Sequence, residues 1–277
     1  MKIPVLKLSS GTTIPTIGFG TWQLAEGQEV EESVEYALKV GYRLIDTAKI
    51  YGNEYGVGQA VKRSGIPRAE VFVTTKLWNS DQGYDSALKA FEDSLHKLEM
   101  EYVDLYLIHW PSPGRLRYKE SWRALTQIYQ DGRAKAVGVS NFDVHHLEDL
   151  MSDSALMPAV NQIEFHPYIY KKQAPILDFC KAHGVVVEAY SPLAHGRQTD
   201  NPVLELLAKK HGKTNAQVML RWAIQHGIVP IPKSATLRRI EENSDVFDFK
   251  LSPKEIQAID GLSDDKSSLP FLVRLLK

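Results

Sequence analysis

The 277 residues carry 33 basic and 34 acidic side chains, a formal net charge of −1, with 43% hydrophobic and 24% charged residues. That is an ordinary globular balance, and with no long basic run it gives no electrostatic footprint for nucleic acid or an anionic membrane. Cys180 is the only cysteine, so no internal disulfide can form, which suits a reducing compartment. In chain order, residues 5–15 read as a hairpin with Ser10-Gly11 at its turn. Eight short, β-branched, nearly continuous apolar runs follow, as strands buried on both faces require. They cover residues 17–21, 43–46, 71–76, 103–109, 136–140, 160–164, 185–190 and 228–233. Helical spacing fills the gaps at 30–40, 88–98, 122–129, 147–151, 176–180 and 204–210. Residues 215–226 form an extra helix before the last strand. Residues 252–259 open on a Ser-Pro cap with Glu255 three positions on.

Eight strand–helix units in series close into a barrel, which needs about 250 residues. The fold expected is a single (β/α)8 TIM barrel domain over residues 1–277, with an N-terminal β-hairpin and extra helices near the C-terminus. A doubly wound open sheet is the competing architecture. Pro230 and Pro232 cannot donate to a ladder, so the eighth strand should be short or irregular. Residues 1–8 lack the apolar stretch of a signal peptide. No window approaches the ~20 apolar residues of a membrane span. A cytoplasmic location is expected.

Barrel enzymes place their chemistry at the C-terminal ends of the strands. Asp46 closes the second strand, Lys76 the third and His109 the fourth. The fifth runs into Ser140-Asn141, the sixth carries Gln162 and Glu164, the seventh ends in Tyr190 and the eighth in Lys233-Ser234. Each alone has an ordinary explanation: Asp46 as a helix N-cap, Lys76 as a solvated strand end, His109 as a core histidine, Tyr51 as loop packing. Together they predict one polar rim. A buried lysine needs a counter-charge, and Asp46 lies on the neighbouring strand. A phenol beside that lysine should have its pKa pulled down. Such an acid could protonate the alkoxide that hydride addition to a carbonyl creates.

The run Asp46-Thr47-Ala48-Lys49-Ile50-Tyr51-Gly52-Asn53-Glu54 resembles the aldo-keto reductase signature. Lys76-Leu77-Trp78, Ile108-His109-Trp110-Pro111, Gly138-Val139-Ser140-Asn141-Phe142 and Ile231-Pro232-Lys233-Ser234 resemble its companion motifs. The resemblance spans residues 5–262 and is nearest the small microbial branch with 2,5-diketogluconate and methylglyoxal reductases. It implies an NADPH-dependent carbonyl reductase acting on small aldehydes, α-dicarbonyls or keto-sugars. Tyr51 would be the general acid, Lys76 its activator, Asp46 the ion-pair partner of Lys76, and His109 the residue orienting the carbonyl. Trp22, Ile50, Trp78 and Trp110, with His109, would form the substrate pocket.

Gly18-Phe19-Gly20 lacks the third glycine of a Rossmann fingerprint, and Gly52, Gly56 and Gly58 have the wrong spacing. Lys233-Ser234-Ala235-Thr236-Leu237-Arg238-Arg239 offers three cations and two hydroxyls at a strand exit leading into a helix. That composition suits a phosphate and predicts NADPH over NADH. The resemblance makes Lys233, Ser234 and Arg239 the 2′-phosphate contacts. It gives Ser140, Asn141 and Gln162 the carboxamide, Tyr190 the nicotinamide face, Ser191 and Leu193 the pyrophosphate, and Glu242 and Asn243 the adenine. Gly20 and Thr21 join the cofactor set. No metal is expected: His145 and His146 are adjacent on a helix and should point to different faces. A Schiff-base aldolase using Lys76 and a non-catalytic NADPH-binding sensor are the alternatives. A monomer, at most a weak dimer, is expected. Residues 263–277 depart from the family's usual ending and should influence substrate choice.

Overall fold

The computed structural model describes residues 3–111, 115–196 and 200–263. The atypical tail from residue 264 onward lies outside them. Strands β1 (Val5–Lys7) and β2 (Thr13–Pro15) form the expected antiparallel hairpin. Eight parallel strands follow: β3 (Phe19–Gly20), β4 (Leu44–Asp46), β5 (Phe72–Leu77), β6 (Val103–Ile108), β7 (Ala134–Ser140), β8 (Val160–Glu164), β9 (Val186–Tyr190) and β10 (Val229–Pro230). They neighbour one another in chain order. Backbone hydrogen bonds from Gly18 N to Pro230 O (3.0 Å) and from Gly20 N to Pro232 O (3.1 Å) join the first strand to the last. The sheet therefore closes into a (β/α)8 barrel rather than an open sheet. Two prolines leave the eighth strand only two residues long, as their missing N–H groups require.

Helices α1 (Gln28–Val40), α2 (Glu54–Arg63), α3 (Tyr84–Leu98), α4 (Arg115–Gln130), α5 (Val144–Asp153) and α6 (Tyr170–Ala182) each follow one strand. Two helices, α7 (Pro202–His211) and α8 (Asn215–Gln225), separate β9 from β10, and α9 (Leu237–Ser244) and α10 (Pro253–Asp260) complete the set. Ser252 and Glu255 cap α10 reciprocally. The helical spacing noted in the sequence misses α2, because Gly56 and Gly58 both oppose helix formation. Packing explains the second: a Cβ on Gly58 would lie 2.2 Å from the Leu98 carbonyl oxygen. The residue is small because α2 and the end of α3 must touch. Among the described residues no helix is long and apolar enough to cross a membrane.

The two-residue period of each strand positions the site. Leu44, Phe72, Leu105, Leu107, Ala136, Val160 and Val229 point inward and pack with Leu8 and Ile14 of the hairpin region. Ile45, Val73, Tyr106, Val137, Ile163 and Val187 point outward into the layer shared with the helices. Further along the same inward rows stand Asp46, Lys76, His109, Ser140, Gln162, Glu188, Tyr190 and Lys233. The barrel interior is thus apolar at the hairpin end and polar at the opposite mouth.

Candidate active site

Asp46 ends β4, and Lys76 sits one residue inside the end of β5. His109 directly follows β6. Tyr51 ends a short 3-10 turn, Lys49–Tyr51, that Gly52 terminates in the left-handed region at φ 71°. Asn53, fully buried, fixes this turn from below. Its Nδ2 donates to Thr21 O at 2.9 Å and Leu24 O at 3.0 Å, and its Oδ1 accepts from Thr47 Oγ1 at 2.8 Å. On the other side Lys49 pairs with Asp81 at 2.7 Å. The loop that carries the phenol is therefore tied to both neighbouring loops.

Lys76 is 0% exposed. Its ammonium donates to Asp46 Oδ1 at 2.6 Å, Thr47 O at 2.9 Å and the Tyr51 hydroxyl at 3.3 Å. Three protons meet three acceptors, so the group is fully satisfied. Burial opposes its charge, but the Asp46 carboxylate and the Tyr51 phenol outweigh that and raise its pKa. The Tyr51 and His109 rings meet edge to face at 5.7 Å, and Trp78 meets His109 the same way at 5.2 Å. Burial first, and Lys76 second, hold His109 well below the ordinary imidazole range. His109 is thus neutral at neutral pH.

These groups open onto a cavity of about 850 Å³. Asp46, Tyr51, His109 and Gln162 form its floor, and Trp22, Ile50, Trp78 and Trp110 its apolar side. Gly20, Asn141, Tyr190, Ser191 and Leu193 line the middle, and Lys233, Ser234, Arg239, Glu242 and Asn243 the far end. Thr21, Lys76 and Ser140 lie behind the wall. Thr21 Oγ1 donates to Asp46 O, and Ser140 Oγ donates to Gln162 O. Asn141, at φ 63°, donates to His109 O at 3.0 Å and accepts from the Tyr190 hydroxyl at 2.7 Å. Among the described residues Lys233, Arg238 and Arg239 form no ion pair. Unpaired cations at the start of α9, where no side chain caps the helix, fit a phosphate dianion.

A model of the aldo/keto reductase family matches residues 16–264. Glyoxal reductase of Bacillus subtilis is 52% identical over 261 residues, covering 94% of this chain and 93% of that protein. This chain belongs to the aldo/keto reductase family. A crystal structure of an aldo/keto reductase from Brucella melitensis is similar at a TM-score of 0.91 and 50% identity, covering 95% of this chain and all of that one. An aldo-keto reductase from Bombyx mori, in complex with NADP, is similar at 0.92 and 36%, covering 98% and 96%.

Four findings go beyond the motif-based expectations or against them. First, the Tyr51 pKa lies above that of a free tyrosine. Burial raises it most, Lys76 offsets this only in part, and Asp46 raises it further. The expected depression fails because burial, reinforced by the Asp46 carboxylate, outweighs the pull of the Lys76 charge. Second, the rings of His145 and His146 lie 3.8 Å apart, and with Asp143 their ligand atoms fall within 4.8 Å of one another. Adjacent positions do converge here, because His146 folds back over the helix start to accept from Asp143 N at 3.2 Å. Third, Glu188, fully buried on β9, accepts from Gln162 Nε2 at 3.0 Å. The same Nε2 donates to Asp46 Oδ2 at 2.8 Å. The signal was a lone acid inside an apolar strand. His195 was also missed: it lines the cavity and meets Trp22 edge to face at 5.7 Å.

Burial, with Asp46 nearby, pushes the Glu188 carboxyl up to about 8. Between the ordinary glutamate range, about 4.3, and about 8, the folded state holds a proton that the unfolded state releases. Stability therefore declines as pH rises through that window and levels off above it. Glu188→Gln removes the titration. In thermal melts its Tm relative to the wild type should rise by roughly 5–10 °C between about pH 5.5 and about pH 8. A constant difference would contradict the assignment.

Proposed function

We propose that this chain is an NADPH-dependent carbonyl reductase in which Tyr51 is the proton donor. The observation that carries the reading is the Lys76 ammonium shared between Asp46 and the Tyr51 hydroxyl at the cavity floor. NADPH, when bound, supplies the hydride. Tyr51 keeps its proton at neutral pH, so it is available when a carbonyl oxygen gains negative charge. Lys76 then stabilises the phenolate left behind, and Asp46 keeps Lys76 charged. Neutral His109 orients the carbonyl oxygen next to Tyr51, forming an oxyanion-type pocket.

The cavity's far end supports the cofactor reading. Lys233, Ser234 and Arg239 would hold the 2′-phosphate, with Glu242 and Asn243 at the adenine. Ser191 and Leu193 would flank the pyrophosphate, and Tyr190 would stack on the nicotinamide. Asn141 and Gln162 would bond the carboxamide, with Ser140 bracing both from behind. The Bombyx mori relative's complex with NADP supports the same choice. Small aldehydes, α-dicarbonyls and keto-sugars are the proposed substrates, and the glyoxal reductase relative favours the α-dicarbonyls. Trp22, Ile50, Trp78 and Trp110 would wall that pocket. An aldolase mechanism is disfavoured, because Lys76 is protonated and hydrogen-bonded rather than a free amine.

Tyr51→Phe should lower turnover about 10²-fold or more, with Kd for NADPH changed only slightly. Loss of reduced-cofactor absorbance with glyoxal or methylglyoxal reads the first, and protein fluorescence the second. Near-normal turnover would mean that the proton comes from elsewhere. Replacing Lys233 and Arg239 together by alanine should weaken NADPH far more than NADH. Equal losses for the two cofactors would contradict the phosphate assignment.

A further inference from the structure

Gln162 has two amide protons, and both are committed, one to Asp46 Oδ2 at 2.8 Å and one to Glu188 Oε2 at 3.0 Å. The Asp46 carboxylate, ion-paired with Lys76, can only accept, so the NH2 end faces Asp46 and the carbonyl end faces away. Gln162 forms part of the cavity wall. Its oxygen, which has no hydrogen bond among the described residues, is the group left for a ligand. One bond would leave the broad terminal torsion of a glutamine side chain loosely held. The second bond, from the residue directly opposite in the β8–β9 register, pins the amide plane.

Glu188 is costly where it stands. It is fully buried, and its Oε1 has no hydrogen-bond partner among the described residues. Its register partner on β10 is the apolar Val229. The charged groups that face it are Asp46 and Lys76, and it bonds directly to neither. A carboxyl kept there despite the cost of burial is accounted for by what it does to Gln162.

We propose that Glu188 is a positioning residue that sets cofactor specificity: it holds the Gln162 oxygen toward the cavity as an acceptor for the primary carboxamide of the nicotinamide ring. This rests on the NADPH reading above. A fixed acceptor favours a carboxamide, which can donate, over a carboxylate, which cannot.

The test compares NADP+ with its nicotinic-acid analogue, which carries a carboxylate in place of the carboxamide. Kd values come from protein fluorescence, and thermal melts check folding. The wild type should prefer NADP+ by about tenfold or more, the scale of one well-placed hydrogen bond. Glu188→Leu frees the amide to turn its NH2 outward. It should weaken NADP+ about tenfold and shrink the preference to roughly threefold or less. Glu188→Gln keeps an acceptor oxygen and should recover most of both. If the leucine variant does not fold, Glu188→Asp, withdrawn by one methylene, carries the same expectation. An unchanged preference in the leucine or aspartate variant overturns this inference alone, as does a glutamine variant that recovers nothing. A wild type that binds no NADP+ overturns the reductase reading and this inference with it.

Discussion

A fully buried ammonium sets the terms at the mouth of this barrel. Lys76 can remain charged out of water only because three acceptors surround it, one of them a carboxylate at 2.6 Å. Each acceptor comes from the second strand or the loop that follows it. The parallel pairing of the two strands sets Asp46 opposite Thr74, two positions before Lys76 on the same inward row, and the 3-10 turn brings Tyr51 over them. The same charge lowers the proton affinity of His109 and partly offsets the cost of ionising Tyr51. Burial is the larger cause in both cases: it keeps the proton on the Tyr51 phenol against the pull of Lys76 and, together with Lys76, keeps the His109 imidazole neutral.

The cavity divides its electrostatics along its length. At the floor, charges are paired and buried, so their fields act at short range with little screening by water. At the far end, Lys233 and Arg239, with Arg238 next to them in the first turn of α9, have no carboxylate partner among the described residues. Pairing protects the first group from the cost of burial, and the absence of pairing leaves the second group free for an anion. Between them the backbone of Asn141 takes a left-handed conformation, and its side chain links His109 to Tyr190.

Much of this was legible in the sequence, for physical reasons that differ by element. Strands buried on both faces give continuous apolar runs, so all eight could be located. Polar residues at their ends marked the mouth because an inward position is otherwise apolar. The helix α2 was hidden because Gly56 and Gly58 answer to packing against neighbouring helices, which local propensity does not record. The Gln162 bond to Asp46 crosses the barrel between residues 116 positions apart, and no local pattern encodes it. The direction of the Tyr51 shift depended on a balance between burial and two opposed charges. Residue types name those contributions, but only the three-dimensional arrangement weighs them. The segment around His195 carries no periodicity, so nothing in it marked a cavity wall.

In the proposed mechanism Lys76 holds Tyr51 as a ready acid without stripping its proton. Labelling tyrosine at the ring carbon bearing the hydroxyl and following its NMR shift with pH, with Tyr51→Phe to assign the signal, tests this directly. Tyr51 should titrate above a free tyrosine, and Lys76→Met should move it higher still. Titration below a free tyrosine, or a midpoint indifferent to loss of the ammonium, would contradict the account.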